Sequence, residues 1–183
     1  MNKAKKTTYK LFWLWDFEKE EAWLNEMADR GWALVDVGFT KYVFEESAPG
    51  EFNVRLEMLE KHVDHPESQA YIRFLGESGV EYVATLFRWV YFRKKAGATP
   101  FDLFSDIDSR VRHLKRILFL PGILGALNTL NAVNMSHRYA VSGDAAYLLI
   151  SILVSAASLL ALYGFIRLSQ KMRRLQRERR LRE

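Results

Sequence analysis

Four histidines and a group of aspartates are the side chains from which metal binding or acid–base catalysis would have to be built. His62 and His65 are close enough to share a metal. No second pair and no carboxylate frame joins them, and His65 precedes Pro66, where a turn role explains it. His113 lies among basic residues, and His137 in a short polar break. Asp102, Asp106 and Asp108 have the look of a magnesium cluster, but acids at the start of a helix are accounted for by the helix dipole. The chain has no cysteine, so a thiol nucleophile, thiolate metal site or disulfide framework is excluded. There is no Gly-rich phosphate loop, no G-x-S-x-G and no H-E-x-x-H. The expectation is a protein with no catalytic residues, no metal and no cofactor. An enzyme acting on lipid is the weakest alternative.

The rest of the chain is organised around two charge-free runs, Ile117 to Met135 and Ala145 to Ile166. Each is close to the roughly 20 apolar residues that cross a bilayer core about 30 Å thick as a helix. The sequence therefore predicts transmembrane helices at 117–135 and 145–166, an external turn at 136–144 and a basic tail at 167–183. A short apolar run with a basic start near the N-terminus is too brief for a signal peptide. Arg112, Lys115 and Arg116 precede the first run, and Arg167, Lys171, Arg173 and Arg174 follow the second. Basic flanks stay on the cytoplasmic side and contact lipid headgroups. The expected placement is a multi-pass plasma-membrane protein with both termini cytoplasmic, the bilayer being its first partner.

Small and amide-bearing residues stripe both runs. A hairpin folded about positions 141–142 sets Gly122 level with Ala161, Gly125 with Ser158, Asn128 with Ser155 and Asn131 near Ser151. Such residues let membrane helices pack closely and hydrogen-bond. With no intramembrane carboxylate or lysine, two spans make a poor transporter alone.

The charge is divided. Residues 1–100 hold 14 Lys/Arg against 16 Asp/Glu, a net of −2, and residues 101–183 hold 13 against 6, a net of +7. The basic charge sits beside the membrane segments and not on the head, so no direct nucleic-acid partner is expected. Residues 1–98 read as a cytoplasmic head. Tyr9 to Phe17 is predicted as an aromatic strand, with Asp16 capping a helix whose buried face holds Ala22, Trp23, Met27 and Ala28. Trp32 to Phe44 is predicted as one long strand bent at Gly38. Phe52 to Met58 alternates as a half-buried strand. A helix follows from Pro66, with Ala70, Tyr71, Phe74 and Leu75 inward, then a last strand over Val80 to Phe92. The order β-α-β-β-α-β predicts an α+β, ferredoxin-like (split βαβ) fold. A repeat of 48 positions pairs Ala22 with Ala70, Gly31 with Gly79, Val35 with Val83, Phe39 with Phe87 and Phe44 with Phe92. Thr99-Pro100 then starts an amphipathic juxtamembrane helix, 99–116, that runs on into the first span.

The first and last strands are apolar on both faces, which predicts cover on both. A binding surface is accordingly expected on the open sheet face around Trp13, Trp15, Arg55, Phe87 and Trp89, for a protein partner, a second copy or a greasy ligand. The third strand lacks the aromatic pattern of an RNA-binding sheet.

The stretches WDFEKEEAWLNEMADRGWALVDVGF (Trp15–Phe39), YIRFLGESGVEYV (Tyr71–Val83), RWVYFRKKA (Arg88–Ala96) and FDLFSDIDSR (Phe101–Arg110) resemble a bacterial family of unknown function, DUF2812, over roughly Lys10 to Arg116. The resemblance implies a membrane protein without assigned activity, often encoded beside PadR-type transcriptional regulators. It supplies no catalytic residues. Together these features favour a membrane-anchored regulatory or sensory binding module. The alternative is an accessory subunit of a membrane transport or resistance complex, joined through the Asn and Ser stripes.

Overall fold

The computed structural model describes residues 4–97, 101–104 and 107–180. Two parts of the expectation, the Thr99-Pro100 helix start and Asp106, fall outside these. The chain divides into an N-terminal unit, residues 1–105, and a C-terminal unit, residues 106–183. We call them the head and the hairpin.

The head is α+β and is built twice from one unit. The first copy is β1 (Lys5–Tyr9), a 3₁₀ turn (Leu14–Asp16), α1 (Phe17–Asp29), β2 (Trp32–Val37) and β3 (Lys41–Glu46). The second is β4 (Phe52–Met58), α2 (Pro66–Glu77), β5 (Val80–Leu86) and β6 (Trp89–Lys95). Each copy forms its own antiparallel three-stranded sheet, in the orders β1-β3-β2 and β4-β6-β5. The expected β-α-β-β-α-β order is therefore replaced by β-α-β-β twice. Two predicted long strands are each a tight hairpin. The second turns at Phe87-Arg88, where Leu86 already faces Trp89. The predicted strand over Tyr9 to Phe17 is also displaced: pairing ends at Tyr9, and Trp13 to Asp16 enter the 3₁₀ turn.

The 48-residue repeat is physical. Gly31 and Gly79 both take positive φ, 82° and 77°, as the chain leaves α1 and α2, a conformation glycine adopts without a Cβ clash. Val35 and Val83 sit at the same irregularity, the register shifts between Leu34 and Asp36 and between Tyr82 and Ala84, so each copy carries a bulge in equivalent places. Phe44 and Phe92 are fully buried, whereas Phe39 and Phe87 are exposed at the two hairpin tips.

Adjacent residues of β6 serve two cores, because successive side chains point to opposite faces. Tyr91 joins Leu24, Met27, Tyr42, Phe44, Val54 and Leu56 around α1. Val90 and Phe92 join Leu59, Val80 and Phe101, with Tyr71, Ile72 and Leu75 of α2 packed against them. The doubly apolar strand is thus covered on both faces from within the head. On α1 the buried stripe is Phe17, Glu20, Leu24, Met27 and Ala28, with Ala22 outside it. On α2, Ala70 and Phe74 are exposed.

In the hairpin, α3 (Ile107–Ser142) and α4 (Ala145–Arg180) are each 36 residues long. The amphipathic segment runs unbroken into the first apolar run, as its spacing implied, but from Ile107. The break is shorter than expected, since α3 persists to Ser142 and only Gly143, at φ 68°, and Asp144 turn the chain. Asp144 then caps α4 by accepting from Ala146 N–H at 2.9 Å. Both helices are long and apolar enough to cross a membrane, and only 11% of each apolar window is buried.

Candidate functional site

The α1 stripe carries one ionisable residue into the core. Glu20 lies three residues after Phe17 and four before Leu24, so helical geometry turns it to the buried face. It is 8% exposed. Its Oε1 accepts from the Tyr42 hydroxyl at 2.7 Å and from the Tyr91 hydroxyl at 2.7 Å. Tyr42 comes from the first copy and Tyr91 from the second, so the site exists only where the two halves meet. Among the described residues Oε2 has no hydrogen-bond partner, and no lysine or arginine pairs with the carboxylate. Burial raises the Glu20 pKa above the usual carboxylate value, and the two phenols partly offset this. Burial together with the neighbouring carboxylate raises both tyrosines as well.

Tyr42 and Phe17 each pack against a further aromatic ring. Trp23 meets Tyr42 edge-on at 5.0 Å and Phe12 at 5.6 Å, and Phe17 meets Trp89 at 5.5 Å. The Lys10 ammonium lies 4.6 Å from the Trp23 ring centre and 4.9 Å from that of Phe12, within the range of cation–π attraction. Lys10 to Trp13 belong to no helix or strand.

Glu21, the next residue of α1, has a different role. Its Oε2 accepts from Leu56 N–H at 2.9 Å, and Asn25 both accepts from Val54 N–H at 2.9 Å and donates to Val54 O at 3.0 Å. These side chains seal the outer edge of β4, which would otherwise offer a free ladder of backbone groups. Arg55 belongs to the same arrangement, 3.3 Å from Glu21 Oε1.

The five residues expected on one open sheet face are distributed. Trp13 and Trp15 stack on each other at 5.3 Å in the segment before α1. Arg55 is committed to Glu21, and its guanidinium is 6.0 Å from the Phe101 ring centre. Phe87 is exposed at a hairpin tip at φ 57°. Trp89 is half-buried against the α1 core. Trp89 packs against Phe17, the first residue of α1. Sequence reasoning missed Glu20 and its tyrosines; the available signal was an acid standing in phase with an apolar helical stripe.

His65, His62 and Asp102 have structural partners. His65 caps α2 by accepting from Glu67 N–H at 3.2 Å, and His62 Nδ1 is 3.0 Å from Asp64. Asp102 accepts from Phe104 N–H at 3.1 Å. Among the described residues no group of three or more His, Asp or Glu is placed to hold a metal.

In the hairpin the expected meeting of Gly125 with Ser158 is present, while other pairs meet up to about one helical turn away from the expected register. Thr129 and Ser158 hydroxyls are 2.7 Å apart, as are those of Ser136 and Ser151. Ser158 also reaches Gly125 O at 3.2 Å, and a Cβ at Gly125 would lie 3.5 Å from Ala161. Gly122 faces Phe165 instead of Ala161. Asn128 donates to Leu124 O on its own helix at 2.8 Å, Asn131 faces outward, and Ser155 is half-buried without joining these contacts. This register brings Arg112, Lys115 and Arg116 to the same end of the hairpin as Arg167, Lys171, Arg173 and Arg174. All but Arg116 and Lys171 are exposed there.

A duplicated βαββ head followed by two long apolar helices defines the class of this protein. The family model described as "Protein of unknown function (DUF2812)" matches residues 16–124, more than half of the chain, and the protein belongs to that family. No curated protein and no solved structure matches it.

Proposed function

We propose that this protein is a membrane-anchored binding module with a regulatory or sensory role. The observation that carries the anchoring is the outer surface of the hairpin. Leu124, Leu127, Leu130 and Val133 on α3, and Leu149, Leu153 and Leu159 on α4, are all exposed. Water disfavours an apolar surface of that extent, and a bilayer covers it. The basic collar at one end suits anionic headgroups, and the preference of basic flanks for the cytoplasmic side supports cytoplasmic termini. The head then works at the inner membrane surface. Its exposed Trp13, Phe39, Phe74 and Phe87 offer a protein partner apolar anchors of the kind that dominate interfaces. A PadR-type regulator is the partner that the family's gene neighbourhood suggests. Crosslinked capture of the full chain from native membranes tests this. A partner held by the wild type and lost in Trp13→Ala/Phe87→Ala supports the reading. A partner equally held by both proteins removes these aromatics from it.

A second reading, the accessory subunit, is favoured by Asn131 and Asn134, which face outward. Amides turned to lipid gain most from a neighbouring helix. Loss of a membrane complex in Asn131→Leu with the head intact would favour this reading.

A further inference from the structure

The hairpin carries two amides that its own fold leaves unused. Asn131 and Asn134 are exposed on α3 and, among the described residues, neither has a hydrogen-bond partner, whereas Asn128 donates to Leu124 O of its own helix. The Thr129–Ser158 and Ser136–Ser151 contacts fix the register of the hairpin. That register sets Asn131 level with Ala156, in the middle of the charge-free run Ala145–Ile166. Asn134 falls level with Leu153, about 4.5 Å nearer the turn. On the membrane-spanning reading, on which this inference rests, an amide at that depth has no water to pair with. We infer that the outer face of α3 docks against α3 of a second copy of this chain, the Asn131 and Asn134 amides hydrogen-bonding across a twofold axis.

The spacing is that of a helix seam. Leu120, Leu124, Leu127, Asn131 and Asn134 recur at intervals of four, three, four and three, the heptad pattern by which helices interlock. The stripe is open to a partner, because α3 meets α4 through Gly125, Thr129, Ala132 and Ser136, which helical geometry puts on roughly the opposite side. Leu124 and Leu127 are exposed on it. The chemistry is self-complementary. Copies inserted in the same orientation present their α3 helices in parallel, so each seam residue meets its own counterpart at equal depth. An amide is donor and acceptor at once, so each Asn131 donates to the other's carbonyl and accepts in return. No charge interrupts the stripe between Ile117 and Met135, so nothing along it repels an identical helix. A helix of another protein would have to bring its own polar group to that depth; this chain already has it.

The test uses the full chain, which contains no native cysteine, in phosphatidylcholine vesicles and in native membranes. Leu127→Cys places a thiol on the seam, and Leu159→Cys places one on the exposed side of α4. Oxidation with copper phenanthroline should give a disulfide-linked homodimer from Leu127→Cys and little from Leu159→Cys. Adding Asn131→Leu and Asn134→Leu to Leu127→Cys should lower the dimer yield about tenfold at a fixed lipid-to-protein ratio. Asn131→Gln, which keeps an amide, should preserve most of it. The leucines make the helix more apolar, so loss of the dimer is not loss of the span. Equal yields from the two cysteines, a yield untouched by loss of both amides, or crosslinking in native membranes to a different protein in place of a second copy would overturn the inference. So would the absence of any dimer from a chain that floats with the vesicles. A chain that does not float overturns the anchored reading and the inference with it, so the two failures are told apart.

Discussion

Tyr91 donates its hydroxyl to Glu20 Oε1 at 2.7 Å, joining α1 of the first repeat to β6 of the second across 71 residues of sequence. Tyr42 donates to the same oxygen at 2.7 Å. Hydrogen bonds to charged groups contribute about 1.5–3 kcal/mol each. Tyr91→Phe and Tyr42→Phe should each destabilise the head by about 1–3 kcal/mol in denaturant unfolding. Because they share one acceptor, the double variant should lose measurably more or less than the two single losses combined. Strict additivity would mean that the two bonds are independent.

Glu20 also predicts a pH dependence. Its folded-state pKa is raised by burial, so the folded head binds the Glu20 proton more tightly than the unfolded chain does. The stabilisation from that tighter binding is full below the ordinary carboxylate pKa and is lost as pH rises through the raised value. Glu20→Gln keeps an acceptor for both tyrosines and removes the buried charge. Its melting temperature should exceed the wild type's by a few degrees at about pH 7, and the gap should close as the buffer approaches about pH 4. A gap that widens on acidification would contradict the assignment.

Asn25 guards an edge. Its amide satisfies both Val54 N–H and Val54 O. Asn25→Ala removes those partners and should cost about 1–3 kcal/mol, with added self-association as the β4 edge opens. Thermal unfolding with light scattering reads both. A loss of stability with no new association would mean that α1 still shields the edge.

The hairpin register is open to a clean test because the chain contains no cysteine. Cysteine pairs at Thr129 with Ser158, and at Ser136 with Ser151, should oxidise readily, since the native hydroxyls are 2.7 Å apart. A pair at Asn131 and Ser151, neighbours in the register read from sequence alone, should crosslink poorly. Gel mobility after oxidation distinguishes the two arrangements.

The repeat was legible because its markers are backbone requirements: Gly31 and Gly79 end helices, and Val35 and Val83 mark bulges. The hairpin tips were not. Alternation continues straight through Phe87-Arg88, and neither residue is a usual turn former; Phe87 takes φ 57° without being glycine. Arg88 holds that turn through the carbonyls of Leu59 and Glu60, a long-range contact that no local pattern displays. The aromatic residues of the expected binding face were separated by the same error, because a strand ending at Tyr9 cannot present Trp13 and Trp15 beside Trp89. The apolar runs were legible by length, and so was the meeting of Gly125 with Ser158, but with a turn reduced to Gly143 and Asp144 other pairs meet about one helical turn away.

Labelling in intact cells decides whether the hairpin holds the head at the inner face of a membrane. Single cysteines at Gly143, in the turn, and at Ser47, in the head, can be probed with a membrane-impermeant maleimide. The Gly143→Cys protein should be labelled from outside, and the Ser47→Cys protein only after lysis. Labelling of Ser47→Cys from outside, or of neither site until lysis, would contradict the proposed anchoring.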